Sequence, residues 1–284
     1  MTATVKDQYG AVMTSVPVTW SSPENFAVLV SEDGLVTATE PGRVQVRASA
    51  AAVTGSATIL VEPGPRLVLH KFYRMMEGDD WERNTGWKTD APLDRWFGVS
   101  TNGEGSIEVL FLPNNGLVGE IPREVGSLSS LVGLTLAQNL VTGEIPPELG
   151  SLQNLQYLVL ASNQLAGEIP SELGDLQNLQ YVDLSQNQLT GSIPPELGKL
   201  QRLWILYLQS NQLSGPVPGE LGSMSTLISL IIAHNPLSGT LPRDLMQLSL
   251  GTFHWNDTSL CAPTDIAFQH WLNSIGNHRG NTDC

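Results

Sequence analysis

Apolar and polar residues follow one rhythm up to about residue 62 and another from residue 107 onward. In the first stretch they alternate in short runs: VPVTW at 16–20, LVTA at 35–38, VQVRA at 44–48 and ATILV at 57–61. Alternation with a period of two is the pattern of a strand with one buried face. Turn-forming pairs separate the runs, namely Tyr9-Gly10, Asp33-Gly34, Pro41-Gly42 and Thr54-Gly55. Short strands at that spacing predict an antiparallel sandwich over residues 1–62. Next, Leu69, Phe72, Tyr73 and Met76 stand at helical spacing, followed by Trp81, Trp87 and LDRWFGV at 93–99. This tryptophan-rich stretch within residues 63–106 reads as a linker and cap over the open end of a repeat array. The other use of clustered tryptophans is an aromatic ligand cage.

From residue 107 the sequence repeats every 24 residues. Asn115, Asn139, Asn163, Asn187, Asn211 and Asn235 fall in register, as do Gly119 through Gly239 and Pro122 through Pro242 at the same interval. Within the unit LQYLVLASNQLAGEIPSELGDL at 155–176, the leucines, with Ile169, point into one coil. Each such side chain gains roughly 1.5–3 kcal/mol on burial. The unit predicts one short strand near Leu158, a corner holding a buried Asn, a tight turn at Gly167 and Pro170, and a short helical turn at 171–174. The Asn amide both donates and accepts, so the asparagines are expected to form a structural ladder. Repeats are predicted over 107–250, with an irregular last unit and C-terminal cap over 251–284. In that last unit Phe253, Trp255 and Thr258 replace Leu, Leu and Asn one residue out of step, and Phe268, Trp271, Leu272 and Ile275 mark an amphipathic helix.

Two resemblances follow from these motifs. The runs ATVKDQYG at 3–10, VPVTWSS at 16–22, GLVTA at 34–38 and GRVQVRA at 42–48 resemble the bacterial Ig-like group 2 domain, although that family opens with a further strand or two. The 24-residue unit resembles the plant-type leucine-rich repeat of receptor-kinase ectodomains and polygalacturonase-inhibiting proteins, and the tryptophan-rich cap is similar to that of bacterial and algal secreted proteins of this class. The fold class implied is mixed: an N-terminal all-β Ig-like module, then an α/β leucine-rich-repeat solenoid with a parallel concave sheet and helical caps. A binding role is implied, with the Ig-like module as a stalk or spacer.

Strand alternation assigns the concave surface. One column runs Val109, Gly133, Tyr157, Tyr181, Ile205, Ser229; the next runs Phe111, Thr135, Val159, Asp183, Tyr207, Ile231, His254; a third, from Pro113 to Ala233, is small or polar. The candidate partner-binding residues are therefore Phe111, Tyr157, Val159, Tyr181, Asp183, Ile205, Tyr207 and Ile231, with Trp204 at the margin. Strand propensity alone is the other explanation for such residues there. The expected partner is a protein or peptide, in adhesion or recognition; inhibition of a secreted polysaccharide-degrading enzyme and glycan binding on the tyrosines are the alternatives.

Charge and chemistry narrow the classes further. Against 28 acids there are 14 scattered Lys and Arg, giving a net charge of −14, so a nucleic-acid footprint or attraction to an anionic membrane is not expected. No catalytic motif, cofactor fingerprint or metal-ligand spacing is present, and His70, His234, His254, His270 and His278 read as solvated or packed. His234 and His254 are expected as neighbours near the end of the sheet. The acidic column Glu124, Glu148, Glu172, Glu196, Glu220, Asp244 suits either the first turns of the convex helical segments or a cation stripe. Asn256-Asp257-Thr258 is a formal glycosylation sequon. Cys261 and Cys284 read as one disulfide, with a buried thiol pair as the alternative. A disulfide implies an oxidising compartment, hence a secreted or surface protein whose export signal precedes Met1.

Overall fold

Leucines recurring once per coil leave the chain one way to bury them, by stacking coil on coil around a continuous core. A computed structural model describes residues 64–280 throughout, together with the backbone of five earlier strand segments. The chain divides into two units, residues 1–71 and 72–284. In the first, Thr19–Ser21 pairs antiparallel with Gly42–Ala50, which pairs along its length with Val53–Val61. Val28–Val30 pairs antiparallel with Val36–Ala38. The remainder of the predicted sandwich lies outside the described residues.

The helix Pro65–Met75 begins at a proline, whose missing N–H costs nothing at a first helical position. Val68, Leu69, Phe72, Tyr73 and Met76 are buried, as their spacing predicts. After it, Trp81, Trp87 and Trp96 are buried in a chain of ring contacts, with Trp81 and Trp87 edge to face at 4.9 Å and Trp87 and Trp96 at 5.2 Å. Each indole N–H donates to a backbone carbonyl: Trp81 to Met76, Trp87 to Phe97 and Trp96 to Ala91. Rings packed against one another with their N–H groups occupied form a cap, and these three indoles present no open cage. Tyr73 joins them, stacked on Trp87 at 5.8 Å, and its hydroxyl donates to Asp79. Burial and the Asp79 carboxylate push the Tyr73 pKa up to about 12.

Among the described residues one sheet has nine strands in sequence order. Ile107–Phe111, Gly133–Thr135, Tyr157–Val159, Tyr181–Asp183, Ile205–Tyr207, Ser229–Ile231 and Thr252–His254 are parallel, one per coil. The core lies behind them: Leu155, Leu158, Leu160, Leu165, Ile169, Leu173 and Leu176 are all buried, and the pattern recurs in each coil. The opposite side carries the predicted short helical turns as 3₁₀ segments such as Pro147–Ser151, Ser171–Asp175 and Pro195–Lys199. Gly150 shows why a residue without Cβ recurs there: a Cβ would lie 2.6 Å from the Glu172 carbonyl oxygen of the next coil.

Asparagine holds the corner after each strand. The Asn187 amide donates to the carbonyls of Leu160, Leu184 and Ser185 at 3.0–3.2 Å and accepts from the Leu165 N–H at 3.0 Å. One side chain thus joins its own corner to the preceding coil. Asn115 instead accepts from the Arg83 N–H and donates to the Arg83 carbonyl, tying the first coil to the cap. At Thr258, which lacks an amide, the hydroxyl donates to the Trp255 carbonyl and accepts from the Leu260 N–H. The residue before each ladder position, from Asn114 to Asp257, is left-handed with φ between 45° and 59°.

Both ends of the sheet differ from the expected helical caps alone. At the front, Val99–Thr101 adds an antiparallel strand to Ile107–Phe111. At the back, the helix Ile266–Ser274, capped by the Asp265 carboxylate on the Phe268 N–H, is followed by a further parallel strand, Asn277–Arg279. Gly280 lies so close to the Trp255 indole that no Cβ fits. Cys261 ends the short strand Ser259–Cys261, whereas Cys284, its expected disulfide partner, lies outside the described residues.

Candidate functional site

Backbone pairing fixes the concave columns in the predicted order. Tyr157 stands opposite Tyr181, Tyr181 opposite Ile205, Val159 opposite Asp183, Asp183 opposite Tyr207, and Tyr207 opposite Ile231. The surface is less open than the alternation alone suggests. Tyr157 is 39% exposed and Phe111 53%, while Val159, Tyr181, Asp183, Ile205, Tyr207 and Ile231 are half-buried. In the third column Ala161, Ser185 and Ala233 are buried, so that column is floor between the other side chains and the corners.

The centre has a defined geometry. The Tyr181 and Tyr207 rings meet edge to face, with centroids 6.0 Å apart and planes at 72°. Such a pair adds about 0.5–1.5 kcal/mol beyond its buried area and holds both rings in place. Asp183 lies between them in the pairing pattern, two residues beyond Tyr181 and directly across from Tyr207. Its Oδ1 accepts from the Ser185 N–H at 3.0 Å and from the Ser185 hydroxyl at 2.6 Å. Oδ2 has no hydrogen-bond partner among the described residues. Burial, then the Asp183 charge, then Tyr207 raise the Tyr181 pKa, so its hydroxyl is a donor at neutral pH. The centre thus offers two oriented aromatic faces, a phenol donor and one open carboxylate oxygen. Next to Ile205, Ser229 is buried and its hydroxyl is without a hydrogen-bond partner among the described residues.

Trp204 belongs elsewhere. It precedes the strand Ile205–Tyr207, is 43% exposed, and lines a groove with Ile228 that shares no lining residue with the concave columns. Sequence reading placed Trp204 at the margin of the patch and missed Ile228, which is 52% exposed. The 24-residue register was the available signal, since Ile228 occupies the position of Trp204 one coil later. The two histidines expected as neighbours are engaged separately: His254 Nε2 is 3.1 Å from Asn277 Oδ1, and His234 Nδ1 is 3.2 Å from the Asp257 carboxylate. No group of three or more potential metal ligands occurs among the described residues, and none of their helices is long and apolar enough to cross a membrane.

A coiled parallel sheet with an asparagine corner and one 3₁₀ segment per turn defines a solenoid of the leucine-rich-repeat kind. The family model described as a leucine-rich repeat region matches residues 147–250. Solved structures agree on the fold. A plant ice-binding protein is 26% identical with a TM-score of 0.68, over 78% of this chain and 71% of that one. Pollen Receptor Kinase 3 is 28% identical with a TM-score of 0.59, over 70% of this chain and 97% of the other. The leucine-rich-repeat ectodomain of the Arabidopsis receptor kinase HAESA, solved with an N-terminally extended IDA peptide hormone ligand, is 25% identical with a TM-score of 0.59. That match covers 76% of this chain but 40% of the HAESA chain. A search of curated proteins found no match.

Proposed function

We propose that this protein binds a protein or peptide on the concave face of its solenoid, as a secreted or cell-surface recognition molecule, and that it is not an enzyme. The observation that carries this reading is the centre of the face, where the paired Tyr181 and Tyr207 rings flank a carboxylate with one oxygen open. A partner's Arg or Lys satisfies both parts at once, the carboxylate by a charge-assisted hydrogen bond and the ring faces by cation–π attraction. The likeness to a peptide-hormone-bound ectodomain supports a peptide ligand. Likeness to an ice-binding protein shows that this fold does not by itself fix the ligand, so the reading rests on the side chains of the concave face. A periodic lattice calls for the same side chain coil after coil, and the two outward concave columns keep a residue from one coil to the next only at Tyr157 and Tyr181.

In the same proposal residues 1–62 form an Ig-like spacer, and Cys261 and Cys284 form a disulfide that ties down the last coil. Panning a random peptide library on the full chain tests the central claim. Enrichment of peptides carrying Arg or Lys, with affinities reduced roughly 30-fold by Tyr207→Ala, is the expected result, equivalent to about 2 kcal/mol at an interface centre. Selected peptides that bind Tyr181→Ala, Tyr207→Ala and the parent equally would place the site elsewhere.

A further inference from the structure

The flank of the solenoid carries a second surface whose chemistry is the reverse of the concave centre. One position of the 24-residue register reads Glu108, Val132, Gln156, Gln180, Trp204, Ile228, the last five each directly before a concave strand, so the two large apolar residues stand on consecutive coils. Their backbone groups are occupied: the Trp204 N–H donates to the Gln180 carbonyl, and the Ile228 N–H donates to the Trp204 carbonyl. Their side chains are about half open to solvent and line a groove of about 710 Å³ together with Gln180, Arg202, Thr226 and Ser249. That volume lies within the range of ligand-binding clefts and accommodates several side chains.

Arg202 gives the groove its charge. Three positions before the strands that start at Gly133, Tyr157, Tyr181, Ile205 and Ser229, the coils carry Ser130, Asn154, Asn178, Arg202 and Thr226. Asn154, Asn178 and Thr226 each donate to a backbone carbonyl of the preceding coil. The Arg202 guanidinium instead donates from one Nη to Asn178 Oδ1 at 2.6 Å. Its remaining N–H groups make no ion pair among the described residues. The groove is lined by this one cation and no carboxylate, in a chain where acids outnumber bases 28 to 14. A guanidinium beside exposed apolar surface pairs best with a carboxylate, which it meets with two parallel N–H groups. The lining extends over coils from Gln180 to Ser249, three steps of about 4.8 Å. This matches about four residues of extended chain at roughly 3.4 Å each.

We infer that the Trp204–Ile228 groove is a second binding site, and that it takes a short extended peptide segment in which an aromatic or aliphatic side chain neighbours an Asp or Glu. The apolar side chain lies against Trp204 and Ile228, and the carboxylate meets Arg202. This reading does not depend on the concave site, which selects the opposite charge.

The test uses ¹⁵N-labelled full chain and follows the Trp204 indole N–H, assigned by its loss in Trp204→Phe. The probes are blocked tetrapeptides EFDL, its amide counterpart QFNL, and EGDG, which keeps the charge without apolar side chains. A saturable shift with EFDL is expected, with QFNL and EGDG at least fivefold weaker. Arg202→Gln should make EFDL and QFNL equal, Ile228→Ser should weaken both, and Tyr207→Ala should change neither. Arg202 is exposed, so its replacement is not expected to disturb the fold; an unchanged near-ultraviolet circular dichroism spectrum checks this. The inference is overturned by the absence of a saturable shift, by equal affinity of EFDL and QFNL for the parent, or by loss of EFDL binding in Tyr207→Ala. Sedimentation showing self-association that Trp204→Ala abolishes would identify a second copy as the occupant and overturn it as well.

Discussion

The asparagine corner and the concave face belong to the same coils, only a few residues apart, yet they use sequence in opposite ways. At the corner the same side chain occurs six times at intervals of 24 residues, and from Asn139 to Asn235 each amide is enclosed by backbone groups of its own coil and a neighbour. On the concave face the corresponding position changes from Val109 to Gly133, Tyr157, Tyr181, Ile205 and Ser229. The corner meets backbone that is identical in every coil, so its chemistry is set by the fold. Outward-facing strand positions meet solvent or a partner, so the fold leaves them free and binding specificity can reside there.

Breaking the corner should have the largest effect. Asn187→Ala removes four hydrogen bonds, and although Leu160 O keeps its bond from Asn163, the buried Leu165 N–H loses its partner. We expect a loss of about 3 kcal/mol in urea unfolding, because a buried unpaired donor costs its full desolvation. Gly150→Ala should cost somewhat less, about 1–3 kcal/mol, by forcing a Cβ against the Glu172 carbonyl and prising two coils apart. Either variant melting like the parent would show that coil contacts are softer than the geometry indicates.

The concave face should respond the other way. Asp183→Asn is expected to change unfolding stability by less than about 1 kcal/mol and Tyr207→Ala by about 1–2 kcal/mol through the lost ring pair, since both side chains are half-buried and line no core. Binding of a basic peptide should fall by roughly 2 kcal/mol for Tyr207→Ala and 1–3 kcal/mol for Asp183→Asn, measured by calorimetry. A large stability loss without a binding loss would reverse the assignment of roles.

The smallest expected effect is in the cap. Burial and Asp79 raise the Tyr73 pKa from 10.0 to about 12. Between those values the folded state holds a proton that the unfolded state has released. The stabilising contribution is therefore complete below pH 10 and is lost as the pH rises toward 12. Ultraviolet titration should show Tyr73, like Tyr181, ionising later than a free tyrosine, and Asp79→Asn should shift the Tyr73 step downward.

The sequence by itself determined the solenoid, its period, the Asn ladder, the inward leucines and the order of the concave columns. All of these follow from regular spacing on a backbone that repeats, so one coil, once read, gives the rest. The sequence also signalled the irregular last coil, where Thr258 occupies a ladder position and bonds the Trp255 carbonyl and the Leu260 N–H. Only the tertiary structure decided how far each concave side chain is open, that Ala161, Ser185 and Ala233 of the small third column are buried, and that Trp204 turns into a flank groove with Ile228. Exposure depends on neighbours 24 residues away and on curvature, which local alternation does not encode. It also decided that Asn277–Arg279 closes the sheet after the last helix. Three polar residues carry no strand rhythm, and their pairing is set by an open sheet edge and by Gly280 fitting against Trp255.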